Sequence, residues 1–464
     1  MNTLLIEKTI RQLMRKKNIP GLAVGVVHNN EIIYAKGFGL RDLKQHKPMT
    51  ADTLIGMGSI TKSFTAFAIM ALQEQGKLNI EDSVADHLDV EPFLSRSAIK
   101  IKHLLSHSSG IPSMDACGSK FTYTFDQFST VLPAHTREEF LAHIADADDF
   151  IIYEPGEHFF YNNDLYTCLE YIIEDVTGDS FEVYLKQAVL SPLNMNRAVL
   201  TQAAFDNDPD SNVMTGYILE ERDGKHHYKV SDLPIDGSVK APGGLYTSIN
   251  EMLNYTQCLL SQGAFNGQQV LSTNSVETLF TPQSPTPYGR GENPQYCLGW
   301  SKDDITENIP HTVIHHGGCM TTSGSQMTMI PELNLGIVVA ENAFTNVSPL
   351  IVQAIIASML EQNPQQTVEG LAIAQAIDDI TGEYQSPHNM YSFKVGLSNN
   401  VLMADAVYDD GNLTFPLLSD DIANLVFKGY SLVADNKSKI EFLRNEKTGK
   451  VEYVTYDRYL YRRQ

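Results

Sequence analysis

Gly56-Met57-Gly58-Ser59-Ile60-Thr61-Lys62-Ser63-Phe64-Thr65-Ala66-Phe67-Ala68-Ile69-Met70 is the stretch on which the reading of this chain turns. After Ser59 it is almost wholly apolar, which predicts a buried helix with a serine in its first turn. Positions i and i+3 share a helix face, so the Lys62 nitrogen can reach the Ser59 hydroxyl. A serine hydroxyl is a poor nucleophile until a base takes its proton. A lysine half-buried against a helix can lose its charge and serve as that base, or can hold a second base in place. The helix dipole also favours negative charge developing at Ser59. Taken alone, the tetrapeptide equally fits a serine that only caps a helix, so the rest of the chain decides.

The 464 residues exceed one average domain, and 42% hydrophobic with 19% charged residues suits a packed core. The balance of 34 Lys+Arg against 56 Asp+Glu gives a formal charge of -22. Such a surface repels phosphate backbones and anionic headgroups, so neither nucleic acid nor a membrane surface is expected as a partner. No apolar run reaches the length of a bilayer span. Met1 to about Lys17 reads as an amphipathic helix without a secretion signal. The expectation is a cytoplasmic protein, or a periplasmic or secreted one if a leader has been removed. Cys117, Cys168, Cys258, Cys297 and Cys319 are scattered and odd in number, so they read as free thiols.

Leu22 to Val27 and Glu31 to Lys36 read as an opening hairpin. Gly37-Phe38-Gly39 lacks the third glycine and the helix of a nucleotide loop. Further helices are expected over 136–150, from Leu165 to Val176, from Ser248 to Gln262 and over 346–361. Strands are expected around His311–Ile314, Gln326–Ile330 and Leu335–Val339, the last continuously apolar and therefore central. Residues 205–242 are polar and read as loops. After Gln362 the texture changes to a helix, then short alternating strands from Thr381 onward, a pattern of a small antiparallel barrel or sandwich.

Three sites fall in chain order: Ser59-Ile60-Thr61-Lys62, Tyr161-Asn162-Asn163 and His316-Gly317-Gly318. With them the chain resembles the serine β-lactamase and penicillin-binding-protein superfamily. The tyrosine in the second triplet resembles the class C branch, which includes DD-carboxypeptidases, D-aminopeptidases and esterases. Pro20-Gly21-Leu22-Ala23-Val24, Leu104-Leu105-Ser106-His107-Ser108-Ser109-Gly110, Pro155-Gly156 and Pro242-Gly243-Gly244-Leu245-Tyr246 are similar to that branch too. The resemblance implies an α+β fold, an antiparallel sheet flanked by helices with a helical subdomain. Its domains would be a hydrolase domain over 1–362, a linker helix over 363–380 and a lipocalin-like β-barrel over 381–464.

The roles implied are Ser59 as nucleophile and Lys62 with Tyr161 as a shared proton network in which either could be the base. Asn163 would bind Lys62 and a substrate amide. The N–H groups of Ser59 and Cys319 would form the oxyanion hole, while Gly317 and Gly318 let substrate lie against the strand. His316 stands where the β-lactamases carry lysine, and a mostly neutral imidazole binds a carboxylate less firmly. The expected function is hydrolysis of small esters or peptides, D-residues among them, through a Ser59 acyl-enzyme. The alternatives are a penicillin-recognising or peptide-binding protein with little turnover, and a true β-lactamase. The expected partner is a small-molecule or peptide substrate, and the sequence permits a homo-oligomer without specifying one. No cofactor is expected, and no metal: His315 and His316 are neighbours on a strand and point to opposite faces. His107 reads as structural. Lys447-Thr448-Gly449 mimics the family's strand triplet but reads as a hairpin turn.

Overall fold

The computed structural model describes residues 1–118, 134, 136–222, 225–233, 237, 239–303, 309–398, 401–408, 411–431 and 436–464. The chain divides into two compact units, residues 2–355 and 356–464.

The first unit opens with helix α1 (Thr3–Lys17), whose Asn2 side chain accepts from the Leu5 N–H. Arg15, Lys16 and Lys17 face the negative end of its dipole, and Asn18 in the left-handed region ends it. Next come β1 (Gly21–His28), β2 (Glu31–Asp42), β3 (Lys47–Pro48), α2 (Thr61–Glu74), α3 (Asn163–Thr177) and α4 (Ile249–Leu260). Strands β4 (Ser284–Pro285), β5 (Gln295–Tyr296), β6 (Ser301–Asp303), β7 (Val313–Met320), β8 (Ser323–Ile330) and β9 (Leu335–Glu341) follow. The nine strands form one antiparallel sheet in the order β4-β5-β6-β7-β8-β9-β1-β2-β3. Residues 21–27 and all of β9 are buried, so both strands carry apolar side chains on both faces.

Close approach of helix and sheet is written in glycine. A Cβ at Gly25 would stand 2.6 Å from Ile249, and one at Gly336 would stand 2.1 Å from Thr256. Those two glycines let α4 lie down on β1 and β9. Helix α2 is buried from Thr61 through Leu72, which explains why its sequence has no polar face. Phe64 of α2 stacks on Tyr255 of α4 with ring centroids 4.0 Å apart, and Tyr255 stacks in turn on Trp300.

In the second unit, α5 (Glu369–Ile380) precedes eight strands: β10 (Gly382–Gln385), β11 (Ser392–Ser398), β12 (Val401–Tyr408), β13 (Gly411–Asp421), β14 (Val426–Ser431), β15 (Asn436–Arg444), β16 (Val451–Tyr456) and β17 (Tyr459–Arg463). They close into a barrel in sequential order. Phe393, Phe415, Phe427, Phe442, Tyr384 and Tyr461 fill it, together with Ala376 and Ile380 of α5.

The α+β architecture expected from the sequence is present, and the choice between barrel and sandwich resolves to a closed barrel. Several elements differ in detail. The expected loop region 205–242 holds a hairpin, Tyr217–Arg222 paired with Lys225–Val230, and a short helical turn, Lys240–Gly243. The strand expected near His311–Ile314 runs instead through the glycines to Met320. The last apolar stretch, Val451 to Tyr461, is two strands, turned at Asp457, whose φ is +55°.

Candidate active site

Ser59 sits in a tight turn, Gly58–Ile60, that runs into α2. Gly58 has φ +50°, and a Cβ there would lie 2.7 Å from the Cys319 nitrogen. A Cβ at Gly318 would lie 1.9 Å from the Met57 carbonyl oxygen. These two glycines therefore let β7 close against the serine turn. Ser325 Oγ donates to the Met57 carbonyl at 2.8 Å, and Ser323 Oγ to the Gly56 carbonyl at 3.0 Å, so β8 holds the same turn. The Cys319 N–H is thereby set beside the nucleophile turn, where the sequence placed an oxyanion donor.

Lys62 is fully buried. Its Nζ lies 3.1 Å from Ser59 Oγ, 2.6 Å from Asn163 Oδ1 and 2.8 Å from the Pro242 carbonyl oxygen. Burial lowers its pKa to about 7. In the amine form it has two N–H groups and one lone pair. Asn163 Oδ1 and the Pro242 carbonyl are obligate acceptors here and take the two N–H groups. The lone pair is left for the Ser59 hydroxyl proton.

Tyr161 precedes α3, whose cap is Asn162. The Asn162 side chain accepts from Leu165 N–H and donates to the Ile111 and Pro112 carbonyls, and its own N–H donates to His107 Nδ1. These four bonds fix the turn that carries Tyr161. Its hydroxyl bonds Ser59, and its ring lies 4.8 Å from Lys62 Nζ. Burial pushes the phenol well above its ordinary pKa. A neighbouring ammonium would favour a phenolate, the form in which Tyr161 could be the base. In the structure desolvation outweighs that effect, and Lys62 itself is drawn toward neutrality.

His316 is buried on β7, its pKa lowered to about 3 mainly by desolvation. Its Nδ1 lies 2.6 Å from the Gly317 carbonyl oxygen, which can only accept, so Nδ1 carries the proton. Nε2 then accepts from the Tyr296 hydroxyl at 2.9 Å. Both ring nitrogens are used inside the protein, and the imidazole is neutral. His315 turns away to Asp303 at 3.1 Å, and His311 to Glu332 at 3.2 Å. Among the described residues no group of three or more His, Cys, Asp or Glu could hold a metal ion. Lys447-Thr448-Gly449 lies in the turn between β15 and β16, capped by Asn445.

Ser59, Tyr161, His316, Gly317, Gly318 and Cys319 line one cleft of about 730 Å³, with Lys62 and Asn163 directly behind Ser59. Two contributors escaped the sequence, Tyr296 and Glu170, and His107, read there as structural, joins them. Tyr296 orients His316. Glu170 of α3, its pKa raised to about 8 by burial, accepts from the Ala241 N–H and so anchors the turn carrying the Pro242 carbonyl. His107 packs its ring 4.3 Å from that of Tyr161. The family-like segment around His107 was visible, whereas Tyr296 and Glu170 carried no local signal.

Fold and cleft together define a serine-hydrolase scaffold of the β-lactamase type. The family model described as Beta-lactamase matches residues 6–357, and the chain belongs to that family. A second model, the Pab87 octamerisation domain, matches residues 364–462. Protein flp of Staphylococcus aureus (strain NCTC 8325 / PS 47) is 26% identical over 372 residues, covering 79% of this chain and 68% of its own. Penicillin-binding protein 4* of Bacillus subtilis (strain 168) is 24% identical over 325 residues, covering 67% and 66% respectively. The octameric penicillin-binding protein homologue from Pyrococcus abyssi superposes with a TM-score of 0.87 at 28% identity, covering 99% of this chain and 100% of that one. A class C β-lactamase shares the fold, with a TM-score of 0.61 at 20% identity over 77% of this chain and 96% of that one.

Proposed function

We propose that this protein hydrolyses small esters or peptides that need no fixed positive charge for recognition, D-residue peptides among them, through an acyl-enzyme on Ser59. The observation that carries this reading is the Lys62 nitrogen, held by Asn163 and Pro242 with its third direction toward Ser59. Ser59 Oγ attacks the substrate carbonyl while its proton passes to Lys62 Nζ. The N–H groups of Ser59 and Cys319 receive the oxyanion, a type of contact worth about 3 kcal/mol per donor. Collapse of the tetrahedral intermediate breaks the ester or amide bond. The leaving group takes a proton from the Lys62–Tyr161 pair. Water then attacks the acyl ester and gives a proton to the same pair; the second tetrahedral intermediate collapses, the Ser59 C–O bond breaks, and the pair returns that proton to Ser59 Oγ.

Two observations support the substrate preference. His316 is neutral and has no free nitrogen, so a β-lactam carboxylate would find no cation at that position. The cleft wall adds Tyr288, Phe344 and Pro349, which are apolar or aromatic. A panel of p-nitrophenyl esters, D- and L-aminoacyl anilides and nitrocefin tests the reading. Esters or anilides should turn over and nitrocefin should be the poorest substrate. One equivalent of product without turnover would instead mark a binding protein.

We also propose a homo-oligomer assembled through the C-terminal barrel. The match of 364–462 to an octamerisation domain supports it, as does the likeness to an octameric homologue.

A further inference from the structure

Part of the cleft wall is a loop rather than a strand. Phe344 and Asn346 line it between the end of β9 and the helix Ser348–Met359, whose first two residues, Ser348 and Pro349, border the same cleft. Phe344 and Asn346 are exposed, and Asn346 has φ +58°. One side chain ties this loop down. Glu341, the last residue of β9, is fully buried and borders the same cleft. Thr345 Oγ1 donates to Glu341 Oε2 at 2.7 Å, the Thr345 N–H to Oε1 at 3.3 Å, and the Val347 N–H to the same carboxyl. From the sheet side the carboxyl is pinned against Gly324, where a Cβ would lie 2.6 Å from Oε1.

We propose that Glu341 is a positioning residue for substrate binding: its ionised carboxyl clamps Thr345 and Val347 and so sets the shape of the Phe344–Pro349 wall. Three donors need a carboxylate that only accepts. Protonation removes the charge that strengthens all three bonds and obliges the Thr345 hydroxyl to turn from donor to acceptor, so the clamp weakens. Burial raises the Glu341 pKa to about 7, and among the described residues no cation offsets it. The residues paired with Glu341 in the sheet, Leu22 of β1 and Gly324 of β8, carry no charge. Among the described residues the titratable group coupled to it is the Cys319 thiol of β7, which desolvation holds in its neutral form. The clamp is therefore closed above a pH near 7 and loosens below it. Lys62 titrates in the same range, but its proton governs the chemical step, whereas that of Glu341 governs the wall.

Hydrogen exchange of the full-length protein tests the clamp without reference to activity, and ester kinetics, which rest on the hydrolase reading, test its consequence. In the wild type, the 342–348 amides should exchange faster at pH 6 than at pH 8 after correction for intrinsic rates. Glu341→Gln should exchange fast at both. With a neutral p-nitrophenyl ester at pH 8, this variant should raise KM about tenfold, the scale of one lost hydrogen bond to a charged group. Its kcat should stay within about threefold and keep the limb set by Lys62. Thr345→Val removes one donor and should give a smaller KM rise that still varies with pH. A folded Glu341→Gln with wild-type exchange and wild-type KM overturns the proposal. Should that variant not fold, Thr345→Val with unchanged exchange and KM does the same. If the wild type turns over no ester at all, the hydrolase reading fails and exchange alone decides the clamp.

Discussion

At the scale of single residues, Lys62 sets the behaviour to expect. Ser59→Ala should abolish turnover and remove labelling by a fluorophosphonate probe, and labelling retained elsewhere would displace Ser59 as nucleophile. Lys62→Ala and Tyr161→Phe should each lower kcat by ~10²-fold or more, the usual share of general acid–base catalysis. For a pair that acts as one unit, as proposed, the double variant should be little worse than the poorer single one, and multiplicative losses would separate their roles. The base must be neutral to act, and its pKa is lowered to about 7. Wild-type kcat/KM should therefore rise with pH through that region, and a profile flat from pH 5 to 9 would remove Lys62 as the base. His316→Lys should shift selectivity toward carboxylate-bearing substrates by ~1–2 kcal/mol, read as the ratio of kcat/KM for nitrocefin and a neutral ester. Ser59 and Lys62 were legible because i,i+3 spacing on a helix is a local rule. Asn163 was legible by family likeness. Tyr296 meets His316 only once β5, β6 and β7 are assembled, so no short-range pattern announces it.

Elements bring these residues together through close approach, and glycines mark where. Gly318→Ala would place a Cβ 1.9 Å from a backbone oxygen of the serine turn. Backbone cannot yield as a side chain can, so the variant should lose about 1–3 kcal/mol of stability and also label slowly at Ser59. Gly317→Ala meets the Gln326 side-chain oxygen at 3.2 Å and the Ser325 carbonyl oxygen at an ordinary 4.0 Å, and should be the milder change in both urea unfolding and labelling rate. Equal effects of the two would mean that β7 does not rest on the turn as described. Apolar periodicity made α1, α2, α4, β1 and β9 readable. It failed at Tyr217–Arg222 and Lys225–Val230, whose polar residues imitate a loop; the Asp223-Gly224 pair in the sequence was the hairpin signal available there. It also fell short on β7, because glycines weaken a strand pattern at the place where this site needs them.

For the whole molecule, Glu170 links burial to pH. Its folded pKa is about 8 against an ordinary 4.5, so the folded chain holds that proton more firmly than the unfolded one. The resulting stability is full below about pH 4.5 and drains away as pH climbs through 8. Glu170→Gln should track the wild type in urea at pH 5 and exceed it at pH 9, on the order of a few kcal/mol at most; a constant difference between the two would refute the linkage. Sedimentation of the full chain should show an assembly several times the monomer mass, and a monomer at micromolar concentration would overturn the proposed oligomer. The sheet order has a temporal meaning as well. Strand β1 lies between β2 and β9, and the Gly21 N–H is bonded to Asn342, 321 residues away. On the ribosome β1 can pair with β2 at once, but its other edge waits for nearly the whole first unit. At ~5–20 residues per second that wait lasts tens of seconds. During it, a strand whose side chains from Gly21 to Val27 are all destined for the interior presents an unpaired apolar edge.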